Sequence, residues 1–380
     1  MGKKYDFLVV GAGIFGATCA RLLTELGWKC LIIDRDKSVG GMCQTERQHN
    51  IDVHLHGPHV FHTNNVEVWN FVNRFSEFNH YKHIVLTLSD DKLYHMPFSM
   101  NTFNELYGLK YPADVRKQLL EEIKEYKVTQ PTNLEEQCLA VIGSRGYEKL
   151  IKGYSEKLWG RPCSEININV MMNMPIRFTW DTSYFETPYQ GIPVEGYTKL
   201  IDNIIGDKID GMLGKTYSAT DTKWNNLADL IIYTGPVDMF CNYIYGPLDW
   251  RTLMFQTQDQ SMLGNNLIGN SVIHIADKSN EVLQVVEHKW FTPERLGDKE
   301  FTQHTIVSNI FASEWSPDKY PMYPVNNAKS EELYKKYVEF IKHNFPNVIL
   351  GGRAGLYRPM SMSDSILNAM SIAANIGAKP

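Results

Sequence analysis

The chain has 380 residues, of which 43% are apolar, which is enough for two or three domains around a large core. Its formal net charge of -5 provides no global basic field for nucleic acid or an anionic membrane, so a polyanionic ligand must be held by a few local cations. Six cysteines (Cys19, Cys30, Cys43, Cys138, Cys163, Cys241) are scattered with no CxxC pair, which argues against a zinc site or disulfide framework and for idle thiols in a reducing compartment.

Met1-Gly-Lys-Lys-Tyr-Asp leads into the first strand with no apolar stretch of signal-peptide or membrane-span length, so a cytoplasmic protein without a membrane span is expected. Asp6 stands where N-myristoylation of Gly2 would need Ser or Thr. Residues 4–10 and 28–33 are short apolar runs separated by a helical stretch from Ala17 to Leu26, the βαβ pattern of a buried parallel sheet. Between them lies Gly11-x-Gly13-x-x-Gly16. That spacing suits a tight turn, a close backbone approach to pyrophosphate and packing of helix on strand, with the helix N-terminus facing the phosphates. Asp34 closes the second strand, where an acid takes the ribose hydroxyls.

A pair of glycines, Gly40-Gly41, follows Asp34. It resembles the pattern of flavoproteins with two dinucleotide-binding domains and moves the expectation from NAD to FAD. Four of the 12 histidines then fall between His54 and His62. His54 and His56 share a strand face and can chelate, but Gly57-Pro58 breaks the strand before His59 and His62, and no Asp, Glu or Cys cluster accompanies them. A loop against a cofactor is preferred to structural histidines, and both to a metal.

Residues 64–80 and 112–154 are helical by period, with Val115, Leu119, Ile123 and Tyr126 in one stripe and Thr132-x-x-Glu135 reading as a capping box. Residues 83–96 alternate like strands and end at Pro97. From about 177 the pattern becomes short strands and polar turns, including Arg177-Phe-Thr-Trp180, 265–276 and 282–291, which suggests a mostly antiparallel sheet. Asp229–Pro236 and Asn347–Arg353 are buried strands that can return to the first sheet, and a helix runs from about Ser363 to Ile376. The expected fold is α/β: a Rossmann-like FAD-binding domain (1–80, 217–245 and 345–380), an inserted helical bundle (98–170) and a twisted antiparallel sheet (81–97, 171–216 and 246–344).

The ordered motifs resemble the UDP-galactopyranose mutase family. They are Gly11–Gly16, Gly40-Gly41, Gly57-Pro-His-Val-Phe-His-Thr63, Lys152-Gly-Tyr-Ser-Glu-Lys-Leu-Trp-Gly160, Pro175-Ile-Arg-Phe178, Gln190-Gly-Ile-Pro193, Gly196-Tyr197, Tyr233-Thr-Gly-Pro236, Trp250-Arg-Thr-Leu253, Glu287-His-Lys289, Tyr323-Pro324 and Gly352-Arg353. The resemblance implies reduced FAD as cofactor, a nucleotide-sugar substrate and pyranose–furanose interconversion, with flavin N5 as nucleophile on the anomeric carbon. It admits a homodimer.

The same resemblance assigns residues. His59 is matched to the histidine near flavin N5, Trp159 to the tryptophan beside the sugar, and Arg177 to the arginine of a loop closing over the diphosphate. Tyr154 borders the base. Arg251, Tyr323 and Arg353 take further substrate-side or flavin-side positions. The cofactor set is Gly11, Gly13, Phe15, Gly16, Asp34, Arg35, Gly41, Met42, His59, Gly235, Arg353 and Met362.

Departures from the family fall on the substrate side. Gln284 stands where the family has an arginine before Glu-His-Lys, and Pro359-Met-Ser361-Met362 replaces Tyr-x-Asp-Met. Exchanging a charge-assisted contact for a neutral amide costs on the order of 1–2 kcal/mol. These departures leave two accounts open. One is weak action on UDP-galactopyranose. The other is a different nucleotide sugar (dTDP-, GDP- or UDP-N-acetyl-linked) recognised by Gln284, Arg358 and Ser361. An amine-oxidase-like flavin oxidoreductase and an inactive nucleotide-sugar binder are the competing classes.

Overall fold

The computed structural model describes residues 4–168, 175–220 and 222–379. Gly2 and the expected boundary between 170 and 171 lie outside the described residues. Strand β1 (Tyr5–Val10), helix α1 (Ile14–Glu25) and strand β2 (Cys30–Ile33) form the expected unit at the centre of a parallel sheet. Its strand order is Val348–Leu350, Ala228–Tyr233, β1, β2, Asp210–Met212. Both faces are covered, which is why the strands read as unbroken apolar runs. Phe7, Val9, Ile32 and Ile232 pack under α1 and the helices Tyr197–Ile205 and Met362–Ile376, while Leu8, Leu31, Ile33 and Ile231 meet Trp224 on the other side.

A second, seven-stranded sheet runs Tyr323–Pro324, Trp250–Asp259, Ile306–Glu314, Gln284–Glu287, Val272–Ile275, Val85–Ser89, Lys92–Met96. Its pairings are antiparallel except between Val272–Ile275 and Val85–Ser89. The helical layer (Met100–Tyr107, Pro112–Tyr126, Leu134–Gly146, Gly153–Trp159) packs Phe103, Val115, Leu119, Leu134, Cys138 and Ile142 around Phe98. No helix among the described residues is long and apolar enough to cross a membrane.

Several sequence expectations are corrected. The run 112–154 divides near the expected cap, after Lys127 (φ 48°), and is interrupted again at Gly143 (φ 72°). The cap is Asn133, whose side chain accepts from Glu136 N–H (3.0 Å), while Thr132 donates its backbone N–H and hydroxyl to the Glu136 carboxylate. Tyr126 is exposed and does not complete the stripe. Arg177–Trp180 forms bends rather than a strand.

Two segments expected in the sheet domain belong with the nucleotide layer. Asp210–Met212 pairs in parallel with β2. The helix Ala328–Asn344 buries Tyr337 and Ile341 against Tyr233 and Phe240. Short apolar runs carry no label for the sheet they join, so only the pairing decides this.

The Glu287-His-Lys289 motif ties this sheet to its loops. Glu287 is fully buried and accepts from Leu267 N–H (3.1 Å), Ile268 N–H (2.9 Å), Trp290 Nε1–H (3.0 Å) and the Thr305 hydroxyl (2.5 Å). Lys289 donates to the Asn265 and His304 carbonyls at 2.7 and 2.8 Å. Glu287→Ala strands the buried Thr305 hydroxyl, three partly covered N–H donors and the buried Lys289 charge, so a loss on the order of 3–5 kcal/mol is expected. A fall in thermal midpoint checks it, and an unchanged midpoint refutes it.

Candidate cofactor and substrate site

The turn after β1 is built by exclusion. A Cβ on Gly11 (φ +114°) would lie 2.0 Å from Thr234 Oγ1, and one on Gly16 would lie 1.9 Å from the Gly11 carbonyl oxygen. Helix α1 starts at Gly13 with no side-chain cap and no acid in its first turn, so its N–H groups are left for an anion. Gly40 N–H donates to the Ala12 carbonyl (2.9 Å), and Gly41 (φ +54°) rests against Gly13, where a Cβ would meet Gly13 Cα at 3.2 Å. The glycine pair therefore lies on the dinucleotide turn. Asp34 closes the same corner, accepting from Ala12 N–H (2.6 Å) and Asp36 N–H (2.9 Å); burial raises its pKa against those bonds.

These elements open onto a cavity of about 440 Å³, within the range of small-molecule sites. Gly11, Gly13, Phe15, Gly16, Asp34, Arg35, Gly41, Met42, His59, Gly235, Arg353 and Met362 all lie on its wall. The glycine clearances, the uncapped helix end and the terminal acid fit a dinucleotide. Sequence reasoning missed Lys215, Tyr320 and Phe185 on the same wall, since none lies in a local motif. Tyr320 stacks under Arg35 (4.5 Å) and donates to Asp36 (2.7 Å). Ser361 also lines the cavity, but its hydroxyl caps the last helix through Asp364.

The four clustered histidines separate rather than converge on one ion. His59 donates Nδ1–H to the Gly57 carbonyl (2.8 Å), which leaves Nε2 with a lone pair. His54 Nδ1 accepts from His59 N–H (3.1 Å), His288 Nδ1 accepts from His54 N–H (3.2 Å), and His288 Nε2–H donates to Ser308 (2.7 Å). This buried relay fixes the backbone of the His59 loop. His56 lies on Tyr320 (5.2 Å), and His62 stacks on Phe185 (3.7 Å).

A second cluster forms where helix Gly153–Trp159 meets the large sheet. Tyr154 stacks on His274 (4.5 Å), whose cross-strand partner is Gln284, and Trp159 faces Tyr323 at 6.3 Å. Tyr323 pairs with Arg251 across the strands. Burial raises the Tyr323 phenol while the Arg353 charge lowers it, and burial followed by Tyr323 raises Tyr154, so this cluster is electrostatically joined to the cavity wall.

Two expected substrate residues are placed differently. Arg251 is buried, with its guanidinium donating to the Leu158 (2.7 Å) and Lys157 (3.2 Å) carbonyls and to Glu314. As it stands, it clamps the helix end rather than offering a free cation. Arg358 is exposed, and its charge is felt by Tyr334 rather than by the cluster. Arg177 sits apart in the 175–188 segment. It pairs with Glu186 (2.8 Å) and Asp181 (3.5 Å) and donates to the Ser183 carbonyl, with Nη2 buried and unpartnered. Phe185 of the same segment is in the cavity wall.

A parallel sheet with a glycine-rich turn, interrupted by a helical layer and a large sheet, defines a dinucleotide-binding class of protein. Comparison narrows the class: the UDP-galactopyranose mutase profile matches residues 149–359, and a NAD(P)-binding Rossmann-like profile matches 9–75. The chain is 32% identical over 375 residues to a dTDP-fucopyranose mutase of Escherichia coli, covering 96% of this chain and 97% of that protein. It is 30% identical over 389 residues to a UDP-galactopyranose mutase of Mycoplasma genitalium, covering 96% and 93%. The fold is similar to a crystal structure of reduced UDP-galactopyranose mutase, with a TM-score of 0.71 at 13% identity over 98% of this chain and 93% of that one. The chain belongs to the UDP-galactopyranose mutase family, a family of isomerases.

Two outcomes follow. Gly16→Ala has no space for its methyl, so the variant is expected to purify folded by circular dichroism but without flavin absorbance; retained flavin refutes this reading of the turn. Burial lowers His59 and His274 to about 4 and His83 and His288 to about 3, against 6.5 for an ordinary imidazole. The unfolded chain thus binds more protons below about pH 6.5, so stability is full above that pH and falls toward pH 4. The urea midpoint should drop across this window, with a shallower slope in His274→Phe.

Proposed function

We propose that this protein interconverts the pyranose and furanose forms of a nucleotide sugar, UDP-galactopyranose in the first instance, with reduced FAD bound at the glycine-rich turn. The observation that carries the reading is that the segment holding Arg177 also places Phe185 in the wall of the dinucleotide cavity, so a cation for a diphosphate and the cofactor site share one short segment of chain. Bound and reduced, the flavin supplies the nucleophile for the anomeric carbon.

The chain's own residues bind and orient. The first turn of α1 holds the pyrophosphate, and Asp34 holds the ribose. His59 remains neutral and presents Nε2 as an acceptor, its ring fixed by Gly57 and its backbone by His54. Arg353 brings positive charge to the same wall. Tyr154, Trp159 and Tyr323 give the sugar and base flat apolar surfaces that exclude water. Arg177 is buried, but the carboxylates now holding it are more than half exposed and can turn into solvent when a diphosphate takes their place.

A second substrate, dTDP-fucopyranose, is favoured by Gln284 and Pro359 at positions where the family carries other residues and by the similarity to the Escherichia coli protein. A cytoplasmic location and a homodimer belong to the same reading and rest on the resemblance.

The test is a panel of UDP-, dTDP- and GDP-sugars with dithionite-reduced protein, read by chromatography for the furanose. Turnover by the oxidised protein, or oxygen consumption with an amine, overturns the reading. Arg177→Ala should retain flavin and lose about a hundredfold or more in kcat/KM. Unchanged turnover at limiting substrate removes Arg177 from the site.

A further inference from the structure

We propose that His49, Asp259 and His304 form a divalent-metal site of the zinc type at the end of the large sheet where Asp259 pairs with Ile306, clamping the Thr45–His54 hairpin to it. The three residues come from remote segments: the turn of the hairpin, the end of strand Trp250–Asp259, and the residue two before strand Ile306–Glu314. Their donor atoms all lie within 4.8 Å of one another. Asp259 Oδ1 is occupied by Ser261, accepting its N–H (2.9 Å) and hydroxyl. Oδ2 is the free oxygen, 3.4 Å from His49 Nε2 and 3.7 Å from His304 Nδ1. With its own proton spent on Asp259, the Ser261 hydroxyl accepts from His304 Nδ1–H (3.2 Å), a bond that His304 gives up when its ring turns a lone pair toward an ion.

Proton counting shows that the contact needs a positive centre. His49 Nδ1 faces Glu300 Oε1 at 3.3 Å, and a carboxylate can only accept, so Nδ1 carries the proton. In the neutral imidazole, Nε2 then turns a lone pair toward Asp259 Oδ2. Two lone pairs facing each other need a positive centre between them, supplied by a second proton or by a cation. A carboxylate that orients a histidine whose other nitrogen binds a metal is the usual outer-shell arrangement of zinc sites, and Glu300–His49 reproduces it.

The imidazoles of His49 and His304 are stacked parallel at 3.8 Å, so two protonated rings in this position would repel, whereas two neutral rings sharing one ion do not. Aiming both lone pairs at a common ion requires each ring to turn about its Cβ–Cγ bond, which is open to side chains that are not buried. His49 also holds a left-handed backbone (φ 50°) in a two-residue turn with Asn50 (φ 58°), a position that favours Asn or Gly over His.

Two nitrogens and one carboxylate oxygen suit zinc, cobalt or nickel rather than calcium or magnesium, with water completing the set. The hairpin ends at His54, whose imidazole holds the His59 backbone, so an ion here stiffens the strand leading into the cofactor loop. The sequence expectation of no metal weighed the cysteines and the His54–His62 run, not these three residues.

The experiment uses chelator-stripped, flavin-loaded full chain. Isothermal titration with ZnCl₂ should show one ion per chain, and saturating zinc should raise Tm by about 4 °C. Cobalt should give a visible ligand-field band. Asp259→Asn, His304→Ala and His49→Asn, the last suited to the left-handed turn, should each lose the heat, the Tm rise and the cobalt band while keeping flavin absorbance. No binding to the wild type, or equal binding by all three variants, overturns the proposal.

Discussion

The structure depends on a contact too close for any side chain: the start of α1 presses Gly16 onto the Gly11 carbonyl, and Gly40-Gly41 presses onto the same turn from the other side. Removing Cβ atoms there lets three backbone segments meet and leaves a helix end uncapped by the protein itself. The adjoining parallel sheet keeps this turn rigid because both of its faces are buried. The cavity follows from these constraints, and its wall then recruits residues from the hairpin loop, the 215–236 region and the C-terminal helices.

A second theme is charge kept scarce. The interior around the cavity is rich in histidines held neutral by burial, and several arginines are already committed to carbonyls or carboxylates. Neutral imidazoles can accept and donate without adding field, so the positive charge on the cavity wall comes from Arg35, Lys215 and Arg353. This selectivity agrees with a chain whose net charge is negative yet whose family handles dianionic nucleotide sugars.

Motifs shared with a family divide by physical role. Glu287-His-Lys289 serves loops and the His59 backbone, and Arg251 holds a helix end. Such residues shape a site without touching what it binds, so their presence in a motif is no guide to contact. The aromatic residues around Tyr154 and Trp159 are placed by the junction of a helix with a sheet, a position set by packing rather than by any local signal.

The sequence by itself determined the dinucleotide unit, because Gly11, Gly13, Gly16, Asp34 and Gly40-Gly41 each answer a local steric or hydrogen-bonding demand within some thirty residues. It also determined the family, through motifs in fixed order. Only the tertiary structure decided which sheet Asp210–Met212 joins, that Ala328–Asn344 covers the nucleotide layer, and that Arg358 faces outward. It alone brought His49, Asp259 and His304 together across more than two hundred residues. Short apolar runs and single polar side chains carry no address of their own. Their neighbours are set by strand pairing and packing between distant segments, and at that level the purpose of a residue such as Gln284 is decided as well.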